Sequence, residues 1–327
     1  VSDLNSVYLG LSLASPIVVS SCGLTATVKN VKQCAEAGAG AVVLKSLFEE
    51  QIDAELEDSR NRDEQAPHPE AEEYVERMGK QLGPESYLEL ISGAKASTSI
   101  PVIASVNCVT DQWWTDWAAQ IERAGADGLE LNISIMPRKL SETSDGIEDR
   151  FVQIVSSVRK SVQLPIAVKI GPYFTALPRF ASRLQAAGAD ALVLFNRFYQ
   201  LDIDTENVTL QPGYRLSSQT EQHATLRWIS ILYGQLECQL AAATGVDTGQ
   251  DAVKMLLAGA SCVQVASALY RHGVEHIRTL NDGVRMWLEE KRYDSVHTVR
   301  GLLSQQASDS PAAYERLQYI KALTGVS

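Results

Sequence analysis

Eight short apolar runs, each followed by a stretch with helical periodicity, leave this chain of 327 residues very few folds. The runs are PIVVS (16–20), AVVLK (41–45), PVIASVN (101–107), GLELN (128–132), PIAVKI (165–170), ALVLFN (191–196), CQLAAA (238–243) and SCVQVA (261–266). Most are near-continuous in apolar residues, the pattern of parallel strands covered on both faces. The helical stretches are 27–37, 84–98, 112–124, 147–161, 177–187, 218–235, 248–258 and 274–290. Eight of each is the count of an α/β (β/α)8 TIM barrel, expected here as a single domain over 1–327 with a helical tail from about 292. A doubly wound sheet, the alternative, normally uses fewer strands.

A smaller phrase recurs in phase. GAGA (38–41), GADG (125–128), GADA (188–191) and GAS (259–261) each join a helix to the next strand. Glycine there predicts a C-cap with positive φ, and the alanine is small enough for close helix–strand packing. The opening SDLNSVYLGLSLASP is expected to form a hairpin across the barrel's bottom. Residues 46–83 and 197–217 exceed the minimal repeat, and both leave C-terminal strand ends, the face where barrel enzymes build active sites.

Composition narrows the function classes. A net charge of −11 argues against nucleic acid or an anionic membrane surface as partner. The acid between Glu49 and Glu76 reads as a solvated loop. No pair of the five cysteines has CxxC spacing, so neither zinc nor an iron–sulfur cluster is expected. The odd cysteine suits a reducing compartment, hence a cytoplasmic location. No apolar run approaches the roughly 18 residues of a membrane span. The five histidines lack metal-ligand spacing, and WWTDW (113–117) reads as packing at a helix start.

The strand ends carry the candidate chemistry. Lys45, Asn107, Asn132, Lys169 and Asn196 close strands two to six, and a barrel brings such positions to one mouth. Any one of them alone more often satisfies a loop carbonyl than does chemistry. Five together suit a planar, electron-rich ring with carbonyl and imide groups, since a carboxamide both donates and accepts and a lysine stabilises charge gained on reduction. After strand seven come Thr244, Gly245 and Val246, with a helix start near Asp247–Gln250. After strand eight come Ala266 and Ser267. Loops at these two places commonly hold a phosphate. A phosphate at one side and a redox-active ring at the other suggest FMN.

These residues resemble the class 1 dihydroorotate dehydrogenases over about 1–290. The resemblance rests on Ser20-Ser21 through Gly23, LKS (44–46), LELNIS (129–134), VKIGPYF (168–174), the asparagine closing LVLFN, and GVDTGQDAVKMLLAGAS with VQVASAL. It implies a flavoprotein that oxidises dihydroorotate to orotate in pyrimidine biosynthesis. It further implies Lys169 at the flavin N1–O2 edge, Lys45 near ring and substrate, and Ser20, Ser21, Asn107, Asn132 and Asn196 about cofactor or substrate. The phosphate would lie at Thr244, Gly245, Val246, Ala266 and Ser267.

The loop after strand four departs from the family. Where the pattern is Asn-x-Ser-Cys-Pro-Asn, with the cysteine as base, this chain has Asn132-Ile133-Ser134-Ile135-Met136-Pro137. Isoleucine accepts no proton. The family's Asn-Ser-Met-Gly-Leu-Pro-Asn appears as Glu76-Arg77-Met78-Gly79-Lys80-Gln81-Leu82. Substitute bases are Ser134, Tyr173, Cys22 and Cys108, the last favoured because it follows Asn107 at a strand end. The expected catalytic set is therefore Lys45, Lys169, Asn132 and Cys108. Arg138 and Lys139 could grip a carboxylate, although solvated loop charges are commoner. Three functions stay open: the family activity, an FMN oxidoreductase on another substrate, and a flavin- or phosphate-ligand-binding barrel without turnover. With no cysteine cluster for an internal relay, a separate acceptor or partner subunit is implied. A homodimer is expected by analogy.

Overall fold

A computed structural model describes residues 2–48, 50–51, 84–108, 114–197, 200–213 and 215–325, with backbone alone at 108, 114–116 and 212. The acidic run and the stretch Glu76–Leu82 thus fall almost wholly outside the described residues, as does Trp113.

The strands are β1 (Ser6–Tyr8), β2 (Leu11–Leu13), β3 (Ile17–Val19), β4 (Ala41–Val43), β5 (Leu47–Phe48), β6 (Val102–Cys108), β7 (Gly128–Ile133), β8 (Ile166–Ile170), β9 (Ala191–Leu194), β10 (Gln200–Asp204), β11 (Thr209–Gly213), β12 (Gln239–Ala243) and β13 (Cys262–Val265). The helices are α1 (Val28–Glu36), α2 (Pro84–Ser97), α3 (Trp114–Arg123), α4 (Ser144–Ser161), α5 (Leu177–Ala186), α6 (Gln222–Leu232), α7 (Gly249–Ala258), α8 (Ser267–His272), α9 (His276–Lys291), α10 (Val296–Val299) and α11 (Tyr314–Thr324). Parallel pairing runs β3-β4-β6-β7-β8-β9-β12-β13 and returns to β3, closing an eight-stranded barrel. The (β/α)8 expectation is met: six of the eight apolar runs contain their strands whole, and β6 and β7 each run one residue further.

Successive strand residues alternate between the barrel's inside and its helical coat. The coat side forms the larger core, where strand residues such as Val42, Leu131 and Val168 pack with Phe151, Phe180 and Leu256 of the helices. The inside begins at the bottom with Tyr8, Leu9 and Leu13 of the β1–β2 hairpin, stacked on Val18, Val43, Ile103, Ala167, Val193 and Cys262. The hairpin therefore plugs the N-terminal end, as its pattern suggested.

The four repeated turns also behave as expected. Gly38, Gly125, Gly188 and Gly259 all have positive φ, and Ala39, Ala126, Ala189 and Ala260 are all buried. Another glycine contact was not predicted. A Cβ on Gly249, at the start of α7, would stand 2.6 Å from the Gly283 Cα of α9. Backbone on both sides leaves nothing to yield. Gly249→Ala should therefore cost about 1–3 kcal/mol as overpacking, read as a lower melting temperature; an unchanged melt would contradict so close a crossing.

Two segments stand outside the barrel. After β9, β10 and β11 pair antiparallel and expose Leu201, Ile203 and Leu210. The long loop after strand six is thus partly a hairpin, which its mixed polar composition hid. In the C-terminal tail, α11 buries none of its residues.

Candidate active site

The alternation that makes the lower barrel apolar makes the upper barrel polar. Inside positions run Ile103, Ser105, Asn107 on β6; Gly128, Glu130, Asn132 on β7; Ala167, Lys169 on β8; and Cys262, Gln264 on β13. A cavity of about 560 Å³ opens above them, within the range of small-ligand sites. Its lining includes Ser20, Ser21, Lys45, Asn107, Asn132, Lys169, Asn196, Thr244, Gly245, Val246, Ala266 and Ser267. All twelve residues expected about a cofactor thus meet at one mouth. Asn132 and Lys169 precede the last residue of their strands by one, and Lys45 and Asn196 follow theirs by two.

Lys169 is the most tightly held of the set. Its Nζ donates to Ser20 Oγ at 3.0 Å and to Gln264 Oε1 at 3.2 Å. Gln264 Nε2 donates in turn to Glu130 Oε2 at 2.6 Å. Glu130 Oε1 lies 3.7 Å from the ammonium. The third hydrogen of Nζ has no acceptor among the described residues. Beside it, Asn196 Nδ2 donates to Asn132 Oδ1 at 2.8 Å, fixing the two amides against one another. Across the mouth, Ser46 Oγ links Ser21 Oγ (2.9 Å) to Ser105 Oγ (2.8 Å).

The other end of the cavity is built from backbone. Thr244 and Gly245 both have positive φ, and Thr244 is held there by its hydroxyl, which donates to the Phe195 carbonyl. The Gly245 amide donates to Ser217 Oγ, while the Ser217 amide donates to Ser267 Oγ. The helix start near Asp247–Gln250 is capped from within. Thr248 and Asp251 already form a capping box at α7, and Asp251 Oδ2 accepts from the Asp247 and Thr248 amides. Burial opposes ionisation of Asp251, but Lys254, Thr248, Gln222 and Gln219 outweigh it and hold the carboxyl below its usual range. Asp247 is engaged by Arg271 at 2.8 Å. The donors left for an anion belong to the loops after β12 and β13.

The candidate bases separate. Ser134 and Cys22 line the cavity. Tyr173 does not: it is 70% exposed and borders a second cavity of about 430 Å³. The side chain of Cys108 lies outside the described residues. Ile135 is 8% exposed and packs in the coat-side core, where it borders the second cavity and not the first. Arg138 and Lys139 are exposed, and their backbone amides donate to Glu142. Residue-type reasoning missed Glu130, Gln264, Phe195, Arg197 and Ser217. Arg197 lines the cavity with Nε on Glu221 at 2.8 Å. No group of three or more metal-ligating residues occurs among the described residues, and no helix of these is long and apolar enough to cross a membrane.

Comparison with known proteins adds the following. A family profile described as dihydroorotate dehydrogenase matches residues 3–288. The dihydroorotate dehydrogenase B (NAD(+)) catalytic subunit of Thermoplasma volcanium is 25% identical over 308 residues, covering 92% of this chain and 98% of the relative. The protein of the same name from Methanosarcina acetivorans is 29% identical over 301 residues, covering 90% and 94%. That from Pyrococcus furiosus is 27% identical over 300 residues, covering 90% and 96%.

Proposed function

Because this chain belongs to the dihydroorotate dehydrogenase family, we propose that it is an FMN-dependent oxidoreductase acting on dihydroorotate or a closely related dihydropyrimidine. The observation that carries this is the meeting of two ammonium groups, three carboxamides and a cluster of serine hydroxyls on one cavity. That donor set suits a flavin mononucleotide: cations and amides for a ring with an imide edge, and backbone donors for a phosphate. When bound, FMN would supply a hydride acceptor.

The chain's own residues do the rest. Lys169, anchored by Ser20 and Gln264, presents positive charge where negative charge develops on reduction. Asn132 and Asn196 hold each other and orient the ring and the substrate. Lys45 and Asn107 stand on the neighbouring strand ends. The loops at Thr244–Val246 and Ala266–Ser267, both bonded to Ser217 and both lining the cavity, would grip the phosphate. Several relatives are named as the catalytic subunit of an NAD(+)-linked enzyme, so electrons are proposed to leave through a partner protein. A cytoplasmic homodimer completes the proposal.

One observation favours a second form of this function. At the position of the family's base stands Ile135, buried away from the cavity. A site without that base takes hydride less readily from dihydroorotate than from a substrate whose proton is lost without assistance. The visible spectrum of the purified protein separates these outcomes. Flavin bands followed by bleaching under anaerobic dihydroorotate support the family activity. Bands that persist support the other substrate. A colourless protein that refuses added FMN would remove both.

A further inference from the structure

Glu130 is fully buried, yet one of its oxygens has no hydrogen-bond partner. A carboxylate kept for stability alone would be expected to satisfy both oxygens, and an apolar residue of similar size would serve as well. Its place on β7 explains more. It lies two residues below Asn132, on the same inward face, one layer beneath the cavity and outside its lining. Both groups it addresses do line the cavity: Gln264, through the 2.6 Å bond, and Lys169, through charge at 3.7 Å. Gln264 bridges the two, accepting from Lys169 and donating to Glu130. Beneath lie Tyr8 and Cys262, both fully buried and neither a cation. Among the described residues the negative charge of Glu130 therefore has one close counter-charge, and that counter-charge is the ammonium proposed to face the ring edge.

Resting on the FMN reading above, we infer that Glu130 is a positioning residue that tunes the bound flavin's reduction potential through Lys169. It fixes the ammonium's place and cancels part of its field, so that the oxidised ring is less eager for electrons than a bare lysine would make it. A potential held down in this way lets the reduced protein pass its electrons on.

The test uses the flavin-loaded protein and two substitutions. Glu130→Gln keeps the shape and the bond to Gln264 but removes the charge. It should shift the reduction equilibrium at least tenfold toward reduced flavin, which for two electrons is about 30 mV, measured against a reference dye. Affinity for sulfite, which adds to the oxidised ring, should rise in parallel. Glu130→Asp keeps the charge and should stay close to wild type on both readouts, giving the comparison if the glutamine variant folds poorly. A purely structural role would lower the melting temperature and leave potential and sulfite affinity unmoved, and that result overturns the inference. A protein that takes up no FMN overturns the function proposed above and this inference with it.

Discussion

Lys169→Met should slow reduction of the bound flavin by about 10²–10³-fold, the usual loss when one preorganised electrostatic donor is taken from a charge-developing site. It should also destabilise the fold. The ammonium is the only close cation to Glu130 among the described residues, and an unpaired buried charge costs about 3–5 kcal/mol. The two effects have separate remedies. Adding Glu130→Gln to Lys169→Met removes the orphaned charge and should restore most of the melting temperature, while the reduction rate stays low. Stopped-flow reduction and thermal melts on the single and double variants measure both. A double variant no more stable than Lys169→Met would deny the pairing, and wild-type reduction without the lysine would deny its role.

The second large effect concerns the missing base. Anaerobic dihydroorotate should reduce the flavin about 10²–10⁴-fold more slowly than in a family member with cysteine in the loop after strand four, the span attributed to general-base help. The pH dependence should follow from what the cavity offers instead. Cys22 lines it, and burial pushes its thiol above the ordinary 9.0. A base acts deprotonated, so any help from Cys22 grows as pH rises and arrives only above that value. The rate should therefore show no ionisation limb between about pH 6 and 9, and Cys22→Ala should leave it unchanged near pH 7. A thiol-like limb near neutrality, or a fast reaction at pH 7, would mean that another group has taken over the proton.

Much of the fold was legible because its signals are local and repeated. A parallel strand covered on both faces must be apolar throughout, so the eight runs announced themselves. The turn glycines were readable because only a residue without Cβ adopts their φ cheaply. The cavity lining was legible from strand ends, since barrel closure brings those to one place without further information. What escaped reading depends on partners far apart in sequence. Glu130 and Gln264 are 134 residues apart and meet only through closure. Their signal was present: Gln264 is the one amide in an otherwise apolar strand, and Glu130 sits two residues before Asn132 on the same face. The helix start at α7 stayed ambiguous for the opposite reason. Glycine, threonine and aspartate at a helix start serve a cap and an anion site equally well, and only the bonds of Thr248 and Asp251 decide. Ile135 was recognisable as a departure, but that it packs behind its strand required the fold.

A crystal structure of the protein grown or soaked with FMN tests the central claim most directly. One flavin per chain is predicted inside the mouth, its ring edge against Lys169, Asn132 and Asn196 and its phosphate against the backbone at Gly245–Val246 and Ala266–Ser267. Flavin in the second cavity beside Ile135, or a mouth that stays free of it at saturating concentration, would contradict the account.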